Sequence, residues 1–158
     1  MATEIERKFL VTGDEWRDGA EAVACRQGYL AIGPPASVRV RVMGDKAMLN
    51  VKQSTLEIAR AEYEYAIPLE DAHRMLDTLC DGRLVEKTRH YVRHATETWE
   101  VDEFHGANAG LIVAEIELAS EDQTFERPSW LGREVSGDAR YLNSSLSLNP
   151  YSAWTEER

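Results

Sequence analysis

One device recurs along this chain: an extended segment with ionisable residues at every second position and mostly apolar residues between them. It opens the sequence in Thr3-Glu4-Ile5-Glu6-Arg7-Lys8-Phe9-Leu10-Val11. On an extended strand Glu4, Glu6 and Lys8 share one face, and Ile5, Phe9 and Val11 share the other with Arg7. Residues 37–43 repeat it with Val38, Val40 and Val42 on one side and Arg39 and Arg41 on the other. β-Branched residues at alternate positions make that segment a strand. Gly44-Asp45 signals a hairpin turn, and the returning segment sets Leu49 and Val51 against Asn50 and Lys52. Residues 58–68 carry Arg60, Glu62 and Glu64 opposite Ala61, Tyr63, Tyr65 and Ile67. Lys87 and Arg89 are in phase within 83–94, as are Glu115 and Glu117 within 111–119. Further strands are expected over 24–32 and 97–104.

A solvated sheet face would account for such alternation and predicts salt-bridge ladders of modest worth. The charges are segregated, however: the strands around 39–41 and 87–89 carry only bases in phase, whereas 115–117 carries only acids. Stacking Arg on Arg two residues apart suits a polyanion site. Closing eight such strands puts the charged faces inside and the apolar faces outside. The expected fold is therefore α+β and mainly β, a closed eight-stranded antiparallel β tunnel with a few flanking helices. One helix is expected over 69–80, where Leu69, Ala72, Met75, Leu76 and Leu79 form an apolar stripe ended by Asp81-Gly82. A second is expected near 138–148, with Asp138 as its N-cap. These helices and a partner subunit, as in a homodimer, are the candidates for covering the outer face. Residues 12–22 are read as a helical turn or loop, and 151–158 as a frayed tail.

The 158 residues suit a single domain spanning 1–158. A net charge of −10 argues against nonspecific nucleic-acid binding and against docking on an anionic membrane. It leaves room for a local cationic pocket. No apolar run approaches a membrane span, and the cytoplasm is the expected location. Cys25 and Cys80 are too few for a disulfide scaffold and read as structural thiols. The four histidines show no ligand spacing.

An interior of this kind is costly to desolvate unless acids, bases, metal and ligand neutralise one another. Glu oxygens suit Mg2+ or Mn2+, and Arg and Lys suit phosphate oxygens. The chemistry implied is metal-assisted attack on a condensed phosphate. Glu4-x-Glu6-x-Lys8 resembles the opening signature of the CYTH superfamily, the triphosphate tunnel metalloenzymes. Arg39-x-Arg41, Leu49-Asn50-Val51-Lys52, Arg60-x-Glu62-x-Glu64, Lys87-x-Arg89 and Glu115-x-Glu117 follow in that family's order. Gln27-Gly28-Tyr29-Leu30, Trp99-Glu100-Val101-Asp102 and Val135-Ser136-Gly137-Asp138-Ala139-Arg140-Tyr141 resemble its small bacterial members. Asn50, Ser136 and Ala139 depart from the family's usual residues.

The resemblance implies hydrolysis of a triphosphate, with inorganic tripolyphosphate favoured. By the same resemblance Glu4, Glu6, Glu62, Glu64, Glu115 and Glu117 form the metal-binding set. Arg39, Arg41, Lys52, Lys87 and Arg89 hold phosphate. Arg60 either holds phosphate or pairs with acids, and Arg133 is a further phosphate candidate near the mouth. Lys8 and Tyr29 are the catalytic candidates, Tyr29 matching a position that pairs with the first-strand lysine; alone it reads equally as a core aromatic. Asp102 is either a support for the site or structural. The alternative functions are an adenylate cyclase, a thiamine triphosphatase and a noncatalytic polyphosphate or nucleotide binder.

Overall fold

The computed structural model describes residues 3–154. The described residues form nine strands, of which the first eight follow the expected alternation: β1 Thr3–Val11, β2 Glu21–Ile32, β3 Ala36–Met43, β4 Lys46–Gln53, β5 Ala59–Ala66, β6 Leu84–His94, β7 Glu97–Phe104, β8 Ile112–Glu117 and β9 Leu131–Glu134. The helices are α1 Leu69–Thr78 and α2 Asn143–Leu148. Every strand pairing is antiparallel, and β1 to β8 close in the order β1-β5-β4-β3-β2-β6-β7-β8 and back to β1. The expected closed eight-stranded barrel is therefore the observed one.

Closure depends on how β1 shares its edges. One edge pairs with β8 through Glu6–Leu10. The other is divided: β5 takes Thr3–Ile5, and β9 takes the stretch from Phe9 to Val11. Between them the β1 backbone is held piecemeal. Glu6 N donates to Ile58 O, Lys8 N to Ser136 Oγ at 2.9 Å, and Val135 N to Lys8 O. β9 is the ninth strand that the sequence reading lacks; four residues, Leu-Gly-Arg-Glu, are too few to carry a period.

Because the middle of the barrel is charged, the apolar clusters lie on its outer faces and at one end. On one outer face Phe9, Val92, Trp99, Val101, Ala114 and Ile116 are covered by Trp16, Phe125 and Trp130. Trp16 sits in a short 3-10 turn, Glu15–Arg17, within the segment read as turn or loop. On a second outer face Val40, Val42 and Ala47 are covered by Ala72, Leu76 and Cys80 of α1 and the residues after it. The contact is close at Gly28, where a Cβ would stand 2.7 Å from Cys80 Sγ. Asp81 and Gly82 both adopt positive φ and turn the chain from α1 into β6.

The third cluster corrects an expectation. Residues 138–148 do not form one helix on the outer wall. Asp138 caps a 3-10 turn, Ala139–Tyr141, and α2 follows from Asn143. This segment packs with Val85, Phe104, Val113 and Leu10. Those four residues are in phase with Lys87, Asp102, Glu115 and Lys8, so they face inward. At one end of the barrel the inward positions change from charged to apolar, and Tyr141, Leu146 and Trp154 seal them from water. The expected frayed tail is instead packed as far as Trp154, which is buried; the rest of that expectation, 155–158, lies outside the described residues.

Candidate active site

Two adjoining cavities of about 300 and 340 Å³ fill the middle of the barrel. They share Glu6, Arg39, Arg41, Lys52, Arg89 and Glu115 in their walls. The first lies toward α2 and is rich in cations: Lys8, Arg60 and Lys87 join the shared bases there, with Tyr29 and Asn143 beside them. The second is rich in acids, with Glu4, Glu62, Glu64, Glu100 and Glu117 in its wall. Of the catalytic, phosphate-binding and metal-binding candidates read from the sequence, all but one line these cavities, and Asp102 lies behind the wall on Lys87 and Arg89. Arg133 is the exception: it lies exposed on β9, on the edge of β1 outside the barrel, and contributes to neither cavity.

Strand register explains the convergence. Lys8 stands opposite Glu115 and Glu6 opposite Glu117; Lys52 stands opposite Glu62, Asn50 opposite Glu64, and Glu4 opposite Arg60. The pairings become ion pairs across the barrel wall. Lys52 Nζ lies 3.3 Å from Glu4 and 3.2 Å from Glu62, and Arg60 reaches Glu4 at 3.5 Å and Glu6 at 3.6 Å. Arg60 therefore pairs with acids while it lines the cation-rich cavity. Asp102, left open in the sequence reading, is 1% exposed and accepts from Lys87 Nζ at 2.7 Å and Arg89 Nε at 2.8 Å. Lys8 Nζ donates to Tyr141 O at 3.1 Å and lies 3.7 Å from Glu115. The expected Lys8–Tyr29 hydrogen bond is not formed; Tyr29 lies opposite Arg39 in the β2–β3 ladder.

The electrostatics are uneven. Burial, with help from Glu115, pushes the Glu6 carboxyl up to about 8. Burial works against Glu115 too, but Lys8 and Arg89 hold it well below the usual carboxylate range, and it is hydrogen-bonded to Glu6. Glu6 therefore carries the proton of that pair. Burial opposes ionisation of Glu62 as well, yet Lys52, a hydrogen bond with Glu4 and Arg39 keep its pKa low. Burial raises Glu117, and the neighbouring Glu4 and Glu62 add to the rise. On the cationic side burial lowers Lys87 to about 8 against the pull of Asp102, and it lowers Lys52 and Arg39 beside their like-charged neighbours.

Carboxyl groups in hydrogen-bonding contact with each other require either a proton or a cation between them. The Glu6–Glu115 and Glu4–Glu62 contacts, with Glu117 alongside, are all oxygen donors and match a hard divalent cation in chemistry. They are not already assembled: among the described residues no three His, Cys, Asp or Glu side chains converge as a ready metal cage.

Sequence reasoning assigned no role to Glu100, Gln27, Asn143 or Tyr91, although Gln27 and Glu100 stand inside motifs that resemble the family's. Glu100 and Asp102 alternate around Val101, a signal present in the sequence but shared with any solvated strand. Asn143 lies on a segment without strand or long-helix period, and only the packed structure brings it to the cavity.

An antiparallel barrel with cations and carboxylates divided along its interior defines an enclosed site for a small polyanion. The sequence pattern of the CYTH domain matches residues 2–148, and the chain belongs to the CYTH family. It is 49% identical over 156 residues to an inorganic triphosphatase of Acetivibrio thermocellus, covering 99% of this chain and 100% of that protein. It is 40% identical over 153 residues to an inorganic triphosphatase of Nitrosomonas europaea, covering 93% and 98%. A crystal structure of an inorganic triphosphatase superposes with a TM-score of 0.69 at 37% identity, covering 94% of this chain and 96% of that one. A protein of Pyrococcus horikoshii at 20% identity shares the fold, with a TM-score of 0.58 over 75% of this chain and 80% of its own. No helix among the described residues is long and apolar enough to cross a membrane.

Proposed function

We propose that this protein hydrolyses inorganic triphosphate to pyrophosphate and orthophosphate with the help of Mg2+ or Mn2+. The observation that carries the reading is the enclosed cavity in which Arg39, Arg41, Lys52, Lys87 and Arg89 face the Glu4, Glu6, Glu62, Glu64, Glu115 and Glu117 set. The family and the names of its curated relatives support it.

The residues divide the work by chemistry. The guanidinium and ammonium groups bind phosphate oxygens and neutralise charge as the terminal phosphoryl group passes to water and pyrophosphate leaves, which is most of what such a transfer requires. The carboxylates would hold the cation by exchanging their present contacts with Lys52 and Arg60 for it. A bound divalent cation supplies polarisation of a phosphoryl oxygen. Lys8 lies between Glu115 and the Tyr141 carbonyl, at the boundary of the acidic and basic regions, where it can orient water toward the phosphoryl group with Tyr29 on the same cavity wall. Tyr141, Leu146 and the inward apolar residues keep bulk water out at that end.

Phosphate release is measured from tripolyphosphate, ATP, thiamine triphosphate and pyrophosphate, each with Mg2+ and with Mn2+. Release of orthophosphate from tripolyphosphate faster than from the others is expected. Cyclic AMP and pyrophosphate from ATP, with tripolyphosphate untouched, would establish a cyclase instead.

A further inference from the structure

We propose that Gln27 and Asn143 are positioning residues that aim Arg41 and Lys87 at the triphosphate, Gln27 doing so without neutralising Arg41. This rests on the function proposed above and adds residues which that function does not require.

Gln27 is fully buried on β2. Its Oε1 accepts from Arg41 Nε at 2.8 Å, and its Nε2 donates to Asn143 Oδ1 at 2.9 Å. The same Asn143 Oδ1 accepts from Lys87 Nζ at 3.0 Å. Each amide has one orientation that fits: rotating Gln27 would set its NH2 against the Arg41 N–H, and rotating Asn143 would set its NH2 against two donors. One amide pair thus fixes a guanidinium on β3, an ammonium on β6 and the start of α2 relative to one another.

The choice of an uncharged residue matters. Lys8, Arg39, Lys52, Arg60, Lys87 and Arg89 each have a carboxylate within 4.0 Å. Arg41 has none among the described residues; Gln27 is its hydrogen-bonded side-chain partner. The amide occupies Nε and leaves the guanidinium's outer N–H groups, with an unspent positive charge, in the wall shared by both cavities. A carboxylate at position 27 would hold Arg41 equally well but cancel the charge that an anion would meet.

Gln27→Met and Gln27→Glu test this. Met keeps the volume and removes the side chain's hydrogen bonds with Arg41, with Asn143 and with Cys25 Sγ, which donates to Oε1 at 3.5 Å; Glu keeps the acceptor for Arg41 and adds the charge. Three quantities are read: the melting temperature without ligand, kcat and KM for tripolyphosphate at saturating Mg2+, and calorimetric affinity for tripolyphosphate. For Gln27→Met, KM and the dissociation constant should rise about tenfold or more, the scale of a lost hydrogen bond to a charged group, with kcat changed much less. Gln27→Glu should weaken binding further while melting no lower than Gln27→Met. Unchanged KM and affinity in Gln27→Met would overturn the proposal, and so would a lower melting temperature with unchanged affinity, which marks a purely structural amide. If Gln27→Met does not fold, Asn143→Ala must show the same rise in KM, and its failure to do so overturns the proposal. A wild type that binds tripolyphosphate without cleaving it would refute the hydrolase reading alone, because the affinities still test Gln27.

Discussion

Asp102→Asn probes how the tunnel tolerates its buried cations. Asp102 is 1% exposed and receives three charged hydrogen bonds, from Lys87 Nζ at 2.7 Å and from Arg89 Nε at 2.8 Å and Nη2 at 3.0 Å. Asparagine has nearly the same shape, so packing is kept while two buried cations lose their shared counter-ion. Its NH2 must also face one of the donors. Removing one partner of a buried ion pair costs about 3–5 kcal/mol. For a domain of this size each kcal/mol moves the melting temperature by about 2–4 °C, so a fall of roughly 6–20 °C is expected near neutral pH. The loss should shrink as pH rises. Lys87, held down to about 8 by burial, sheds its proton above that value, and Asp102 then has only Arg89 to neutralise. Tripolyphosphate should partly replace the missing carboxylate, so its stabilising shift should be larger for Asp102→Asn than for the wild type. Scanning fluorimetry at about pH 6 and pH 9, with and without tripolyphosphate, reads all three effects. A fall of less than about 2 °C at the lower pH would show that the triad is not the counter-charge that the geometry indicates.

Other outcomes follow from the same contacts. Gly28→Ala places a Cβ 2.7 Å from Cys80 Sγ and 2.8 Å from Leu84 Cδ2; it should destabilise by about 1–3 kcal/mol in thermal melts, whereas stability equal to wild type would mean that α1 shifts freely on β2. Lys87 has a folded pKa below its unfolded one, so folding favours its neutral form and the free protein gains stability from this group as pH rises from about 8 toward 10.5. Anion binding favours the charged form, so calorimetry should show tripolyphosphate affinity falling and proton uptake appearing above pH about 8; affinity flat from there to about pH 9.5 would exclude Lys87 as a phosphate ligand. Glu117→Gln keeps size and removes a charge beside Glu4 and Glu62; the Mg2+ concentration for half-maximal activity should rise, and an unchanged metal titration would remove Glu117 from the cation's oxygen set.

The barrel was legible because period-two alternation survives in the sequence with its charges in phase. Arg39-x-Arg41 and Glu115-x-Glu117 state which face is inward once a solvated face is excluded, and strand register then brings Lys8 to Glu115 and Lys52 to Glu62. What was not legible depends on where the alternation changes its chemistry. Leu10, Val85, Phe104 and Val113 continue the charged face of their strands as apolar residues. Read together they call for an apolar cap inside the barrel, but strand by strand each looks like an ordinary core position. Arg133 was misplaced for the converse reason: β9 pairs along the outside of β1, so nearness in sequence to the late motif did not bring it to the cavity. Gln27 and Asn143 carry no charge, and although Gln27 stands in a family-like motif, only tertiary contacts between β2, β6 and α2 give the two residues a role.

The net charge of −10 and an anionic substrate are reconciled inside the tunnel. Lys8, Arg39, Arg41, Lys52, Arg60, Lys87 and Arg89 face Glu4, Glu6, Glu62, Glu64, Glu100, Asp102, Glu115 and Glu117. That is seven cations against eight carboxyl groups, and Glu6 holds its proton at neutral pH because its pKa is raised to about 8. With Glu6 protonated the two sets balance. A balanced tunnel can be buried without the self-repulsion that seven uncompensated cations would impose. The same balance leaves almost no net positive charge to meet a triphosphate, whatever the local arrangement of Arg41 and its neighbours. Entry of the polyanion must therefore bring further positive charge with it. On the proposed function, a divalent cation held by the acids would add charge to the acidic side, and Lys52 and Arg60, now paired with Glu4, Glu6 and Glu62, would be free to turn toward the phosphates. On that same function, this balance predicts that tripolyphosphate affinity rises with Mg2+ concentration, and affinity independent of Mg2+ in calorimetry would refute the electrostatic argument.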